Sequence, residues 1–315
     1  MHPGIEAAAG RRGFVILGFP RSGTTLLSRL LDTHPQVSSP PETYLNRAAA
    51  RFLCEQTLVE GPPVGVLSAL AFLGFDAEAV MAPLRAMIFD VHARIAGDKP
   101  VWVEKTAADI FHLETLEPLL VRHVRFITLV RNPLDVIASN VERERAMGAQ
   151  TEELFAATRG ENAPFDALAR VWLERQAALD AFAERHAADC HRLRLEDLLA
   201  DPAGELRRLF AFLELDVDPD RLLADAFARE PRVGLGDFRT NEQTALRAPD
   251  PEGWRRRLPP VAASRIVPML AQAMQAHGYA VPRVPRTPTR EEAIRRYAIA
   301  NFGKASGLLG ETKPR

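Results

Sequence analysis

Apolar residues fall along the chain in two alternating rhythms. Phe14-Val15-Ile16-Leu17 is a short unbroken run with no helical period. It leads into the turn Gly18-Phe19-Pro20-Arg21-Ser22-Gly23, and then Leu26, Leu27, Leu30 and Leu31 share one face of a helix. Val101-Trp102-Val103-Glu104, residues 124–130 and residues 190–195 are further strand-like runs. Between and after them, amphipathic spacing predicts helices over 76–96, 110–121, 133–147, 165–186, 206–213, 220–229 and 261–278. Pro133 suits a first helical turn, whereas Pro118 is an awkward residue inside its segment. Pro41 and Glu42 open a candidate helix running through Cys54. Short strands alternating with helices predict parallel βαβ units, hence one α/β domain over 1–280 with a central parallel sheet flanked by helices. Right-handed crossovers then bring the carboxyl ends of the strands to one edge, where such sheets bind ligands.

Three stretches depart from this rhythm. Residues 44–97 read as a helical insertion that shapes the substrate side. Residues 150–164 are polar and contain glycine, and read as a loop. Residues 232–260 are irregular and rich in arginine, and 281–315 form a Pro/Arg-rich tail with a candidate helix over 290–301.

The first strand, turn and helix make an anion site. Backbone N–H groups at the start of a helix lack intrahelical acceptors and sit at its positive end. Gly18 and Gly23 have the spacing of the P-loop G-x-x-x-x-G-K-[ST], so the domain is P-loop-like, but Thr24 stands where the lysine belongs. The fixed cation of this loop would have to be Arg21. A second anchor follows the strand 124–130. Arg131 sits at its carboxyl edge, Ser139 lies eight residues on, and Arg143 is i+4 to Ser139 on one helix face. Two guanidinium groups and a hydroxyl converging this way would clamp a phosphate. Read without that convergence, Arg143 is one charge in the solvated run Glu142-Arg143-Glu144-Arg145.

Bulk properties narrow the choice. The 315 residues carry a net charge of −1, so no global field recruits nucleic acid and any anion site is local. The two cysteines, Cys54 and Cys190, fit neither a disulfide framework nor a metal motif and read as buried free thiols. The eight histidines show no metal-binding spacing, so no metal is expected. The amino terminus has no apolar core of a signal peptide and no run is long enough to span a membrane, which predicts a cytoplasmic protein. Nothing in the sequence fixes an oligomeric state.

Pro20-Arg21-Ser22-Gly23-Thr24-Thr25 after a strand resembles the 5′-phosphosulfate loop of the PAPS-dependent sulfotransferases, and Arg131 with Ser139 resembles their 3′-phosphate motif. The likeness covers roughly 13–213. It is nearest to the branch that includes tyrosylprotein sulfotransferases and bacterial small-molecule enzymes: Asp32-Thr33-His34-Pro35 followed by Pro41-Glu42-Thr43 resembles that branch, with the first Glu of its E-E-T replaced by Pro. The resemblance implies that Arg21, Ser22, Gly23, Thr24 and Thr25 hold the phosphosulfate of PAPS and that Arg131 and Ser139 hold its 3′-phosphate. It also implies that Glu42 is the base and Lys105 the lysine at the leaving group. In the last third, Arg239 and Arg255 fall in loops resembling those that close on the donor, and become further candidates for the 3′-phosphate.

Sulfuryl transfer needs a nucleophile, sulfur and leaving oxygen in line, a carboxylate to take the acceptor's proton, and a cation for the leaving charge. No metal is required. Glu42 could instead be a carboxylate favoured at a helix start, His34 is an alternative base, and Lys105 could be a surface partner of Glu104. Strand alternation puts Glu104 and Lys105 on opposite faces, so only one can point into the cleft. Two departures matter. Leu195 stands where the family often has Tyr before Glu-Asp-Leu, and Tyr44 where the tyrosylprotein enzymes carry an Arg. The second weakens a protein-tyrosine substrate and leaves a small-molecule hydroxyl (or amine) as the acceptor. The apolar content of the insertion (Phe52, Leu53, Leu67, Leu70, Phe72, Phe75) tilts that acceptor toward a hydrophobic molecule. The competing readings are a P-loop nucleotide kinase or NTPase, opposed by Thr24 and the missing Walker B acid, and a non-catalytic nucleotide-binding protein of the same fold.

Overall fold

In a computed structural model, residues 10–57, 63–147, 151–159, 163–236, 243–248 and 250–285, with Ile294 and Tyr297, are described. Five parallel strands form the central sheet: β1 (Arg12–Gly18), β2 (Val37–Ser38), β5 (Val101–Glu104), β6 (Arg125–Val130) and β7 (Cys190–Arg194), in the order β2-β5-β1-β6-β7. β3 (Gln56–Thr57) and β4 (Pro63–Val64) make a small separate hairpin. β1 is central because it is buried on both faces. Phe14 and Ile16 pack with Leu27, Leu30 and Phe210 on one side; Val15 and Leu17 pack with Trp102, Phe126 and Trp172 on the other. A strand with two covered faces reads as an unbroken apolar run, which is why the sequence shows one.

The helices are α1 (Thr24–Asp32), α2 (Leu45–Leu53), α3 (Val66–Ala71), α4 (Ala77–Ala96), α5 (Leu113–Leu120), α6 (Pro133–Met147), α7 (Glu152–Thr158), α8 (Pro164–Arg185), α9 (Leu195–Ala200), α10 (Pro202–Phe212), α11 (Pro219–Ala228) and α12 (Pro260–Ala276). The buried residues of α1, α10 and α11 belong to one core layer; those of α4, α6, α8 and α12 belong to the other.

Three expectations are corrected. The segment 150–164 contains α7, because Thr151 caps it, accepting from Leu154 N, and Leu154 is buried. No helix starts at Pro41. The chain stays irregular until Tyr44, which takes φ 61°, and α2 begins at Leu45. Glu42 is therefore not a helix-terminal carboxylate. Cys54 is exposed and Cys190 half-buried, both as free thiols. Finally, Phe52, Phe72 and Phe75 of the insertion are exposed, and Leu53 is core. None of these three phenylalanines lines the large cleft. Among the described residues no helix is long and apolar enough to cross a membrane.

Candidate active site

Several candidate groups follow the carboxyl end of a strand. β1 runs into the loop 18–23, β2 toward Glu42, β5 into Lys105, β6 into Arg131 and β7 into Leu195. The sheet order puts these ends side by side, around a cleft of about 920 Å³. That is large enough for a nucleotide.

The loop is built by two tight contacts. A side chain on Gly18 would come 2.8 Å from the Leu129 carbonyl oxygen, so only glycine lets β1 and β6 approach there. Gly23 has φ 98° and serves as the N-cap of α1 without a capping side chain. Arg21 is also left-handed, at φ 78°, a strained state for a residue with a Cβ. Ser22 N donates to the Phe19 carbonyl at 3.0 Å, closing the turn. The Ser22 hydroxyl is buried and has no hydrogen-bond partner among the described residues.

The loop and α6 are tied together. Arg21 Nε donates to Ser139 Oγ at 3.0 Å, Arg131 Nη1 to the Arg21 carbonyl at 2.9 Å, and Asn140 Nδ2 to the Pro20 carbonyl at 3.0 Å. Arg21 thus turns toward Ser139 and Arg131, not only toward the helix end where the sequence placed it. Arg143 also lines the cleft. Burial lowers the pKa of Arg131, but a guanidinium this basic stays charged. Asp135 joins this corner and pairs with Arg257. Burial pushes its carboxyl up to about 6, although Arg131 and Arg257 pull it down.

Arg255 does not join them. The 3₁₀ turn Gly253–Arg256 lays its guanidinium over the Trp254 ring, 4.4 Å from the centroid, and pairs it with Glu252. Arg256 and Arg257 line the cleft instead. Arg239 lies outside the described residues. Sequence reasoning missed Asp135, Asn140, Arg256 and Arg257. Asn140 follows Ser139 directly and was the most accessible of these.

On the opposite wall, Lys105 Nζ lies 3.1 Å from Glu42 Oε1 and 3.4 Å from Thr25 Oγ1. Lys105 is 1% exposed. Glu42 faces the large cleft; Lys105 meets a smaller cavity of about 110 Å³ behind residues 231–236. The Glu42 amide donates to the Leu235 carbonyl at 3.0 Å, which fixes the base candidate's backbone. Burial and the neighbouring Glu42 carboxylate push up the Tyr44 hydroxyl, which also lines the cleft. Glu104 turns the other way, as strand alternation requires, and is fully buried. His34 is absent from both cavities. Its Nδ1 accepts from Gln36 N at 3.2 Å, so its Nε2–H donates to the Asp216 carbonyl at 3.0 Å. Both ring nitrogens are thus engaged away from the cleft, and burial lowers the pKa of the ring. Leu195 packs against Gly23, where a side chain would meet it at 2.8 Å.

α7 closes the far end, with Thr151 in the cleft wall. Glu153 pairs with Arg47 of α2 and lies 3.6 Å from His112. Burial alone would raise its carboxyl, but His112 and Arg47 overcome this and hold it down at about 2. A lowered folded value gives stability that is complete above the unfolded 4.5 and is lost as pH falls through about 2. Glu153→Gln should therefore cost about 1–3 kcal/mol near neutral pH, and the deficit should shrink on acidification below pH 4.5. Denaturant unfolding of both proteins at neutral and acid pH measures it. A deficit that does not change with pH would remove the ion pair as its source.

Among the described residues, no group of three or more His, Cys, Asp or Glu is placed to hold a metal. A model of the sulfotransferase family matches residues 13–219. Carbohydrate sulfotransferase 6 of Homo sapiens is 28% identical over 249 residues, covering 74% of this chain and 60% of that protein. Nodulation protein NoeE of Sinorhizobium fredii is 28% identical over 256 residues, covering 77% and 60%. The chain thus spans about 60% of the length of the curated relatives it matches. The sulfotransferase domain of the Synechococcus PCC 7002 olefin synthase superposes with a TM-score of 0.58 at 21% identity, covering 87% of this chain and 97% of that one. That likeness extends the shared fold well past the family match, through most of the last third.

Proposed function

The chain belongs to the sulfotransferase family, and from that premise we propose that it transfers the sulfuryl group of PAPS to a hydroxyl of a small-molecule acceptor, by in-line displacement with Glu42 as base. The observation that carries the reading is the Glu42–Lys105 pair, 3.1 Å apart, beside Thr25 at the open start of α1. A base and a leaving-group cation stand together there, at the positive end of α1, which favours a phosphosulfate.

The residues present fit the donor. Ser22 offers a buried hydroxyl with no other partner among the described residues, and the loop amides and Thr25 complete the cradle. Arg131, Ser139 and Arg21 converge on one corner suited to the 3′-phosphate, with Arg143, Arg256 and Arg257 on the same wall. In the reaction the acceptor oxygen bonds to sulfur as the bond from sulfur to the 5′-phosphate oxygen breaks. The acceptor proton goes to Glu42, and the charge left on the phosphate is met by Lys105 and the loop amides. Lys105 must leave Glu42 for the bridging oxygen, which frees the carboxylate to act as a base. Such a base contributes about 10²–10⁴-fold. The protein's remaining task is alignment.

Two relatives are named for carbohydrate acceptors. The lining of the cleft includes Tyr44, Ala107, Ala108 and Thr151, mixed in character. A saccharide hydroxyl is accordingly the first acceptor class to try. A screen with radiolabelled PAPS over sugars, phenols, steroids, lipids and peptides identifies it.

A thermal shift tests the donor. PAP should raise the melting temperature without magnesium. A hundredfold excess over Kd corresponds to about 2.7 kcal/mol of added stability. Stabilisation by ATP with magnesium and none by PAP would instead support the nucleotide-kinase reading.

A further inference from the structure

Behind the Glu42–Lys105 pair lies a buried carboxylate that touches neither cleft. Glu104 is 0% exposed, the last residue of β5, and its side chain points away from that of Lys105. Its Oε2 accepts from Thr43 Oγ1 at 2.6 Å and its Oε1 from Thr106 Oγ1 at 2.6 Å. His92 Nε2 of α4 approaches Oε2 at 3.1 Å, with the imidazole stacked on Trp102 at 4.5 Å. Thr106 Oγ1 in turn accepts from Tyr44 N at 3.2 Å.

The sequence positions give this cluster its meaning. Thr43 follows Glu42, and Thr106 follows Lys105. One carboxylate therefore holds the residue next to the base with one oxygen and the residue next to the leaving-group lysine with the other. Segments 42–44 and 104–106 share no strand pairing: β5 pairs with β1 and β2 and ends at Glu104, while β2 ends at Ser38. Their relative position depends on side chains. A fully buried carboxylate is costly and is retained only where hydrogen bonds meet its charge. Burial would raise Glu104, yet His92 and the two threonine hydroxyls bring it below its ordinary value, so it is ionised and holds both hydroxyls as charge-assisted bonds. Asp109 beside it shows the opposite outcome. Burial, and then the Glu104 charge, push it well above the ordinary range, while it accepts from Asn46 of α2 at 3.0 Å.

We propose that Glu104 is a positioning residue for transfer, which sets the distance between Glu42 and Lys105 through Thr43 and Thr106 and is itself braced by His92. It touches no reacting atom. The inference rests on the reading of Glu42 and Lys105 given above. Displacement of about 1 Å in such a pair is worth roughly 10²-fold in rate. Loss of one strut should therefore lower kcat while leaving the donor's binding surfaces alone.

The test uses the full-length chain and release of radiolabelled sulfate from PAPS, to water and to any acceptor the screen returns, with PAP binding by calorimetry as the second readout. Thr43→Val keeps the shape and removes the hydroxyl. It should lower kcat roughly 10- to 100-fold, with KM for PAPS and Kd for PAP changed less than about twofold. Thr43→Ser restores the hydroxyl and should restore most of the rate. Thr106→Val should behave alike, and Glu104→Gln should show the larger loss if it folds. A wild-type kcat in both valine variants overturns the proposal, as does equal loss in Thr43→Val and Thr43→Ser, or a fall in PAP affinity that parallels kcat. Glu42→Ala run alongside separates the two levels. Full activity there overturns the reading of the base and the strut with it, whereas an inactive Glu42→Ala beside a fully active Thr43→Val overturns the strut alone.

Discussion

Glu42→Ala should abolish sulfuryl transfer while PAP binding stays within about twofold of wild type. The loss expected for a general base is about 10²–10⁴-fold in kcat. The side chain lies 3.1 Å from Lys105 and faces the large cleft, and no second carboxylate stands in its place, since Glu104 points away toward His92. PAP affinity should survive because the phosphate contacts come from other residues. Removing Glu42 also leaves Lys105 buried without its anion, which destabilises the free protein. Glu42→Gln keeps the volume and should be nearly as inactive. Rates from the radiolabelled assay, with PAP titration calorimetry on the same samples, decide it. If PAP binding falls with activity, Glu42 belongs to the architecture and not to the chemistry.

Arg131→Ala should weaken PAP by about 2–5 kcal/mol, roughly 30-fold to several-thousand-fold, the usual result of truncating a buried charge that holds an opposite one. Arg131 is desolvated, and its Nη1 also donates to the Arg21 carbonyl. Lysine at this position lacks the planar fork and should rescue little. The informative comparison is adenosine 5′-phosphosulfate, which has no 3′-phosphate. Arg131→Ala should penalise PAP strongly and this ligand hardly at all. Equal penalties for both would mean that Arg131 acts on the loop and not on the 3′-phosphate.

Much of this site is legible in the chain's apolar pattern, for a physical reason. Parallel strands covered on both faces are unmistakable apolar runs, and the residue after each strand lands on the ligand edge. Lys105 and Arg131 can be placed by that rule alone. The failures share a cause too, since each depends on partners remote in sequence. α7 is a short helix held by Arg47, Arg51 and His112 from other segments, and its polar composition reads as a loop. The chain around Glu42 looks like a helix start after two prolines. It stays irregular while a main-chain bond from residue 235 holds it. Among three consecutive arginines, only the 3₁₀ turn decides that Arg255 stacks on Trp254 while its two successors reach the cleft. Glu104 looks like a surface partner of Lys105 in the sequence because alternation gives opposite faces but not burial.

The bond between the Glu42 amide and the Leu235 carbonyl uses backbone atoms alone. In evolutionary terms the base's anchor is therefore blind to the side chain of residue 235. Its neighbour is not free to drift. A side chain at Gly234 would overlap Pro41, so positions 41 and 234 are constrained to change together or not at all. Variation among relatives should show that coupling between two loops far apart in sequence.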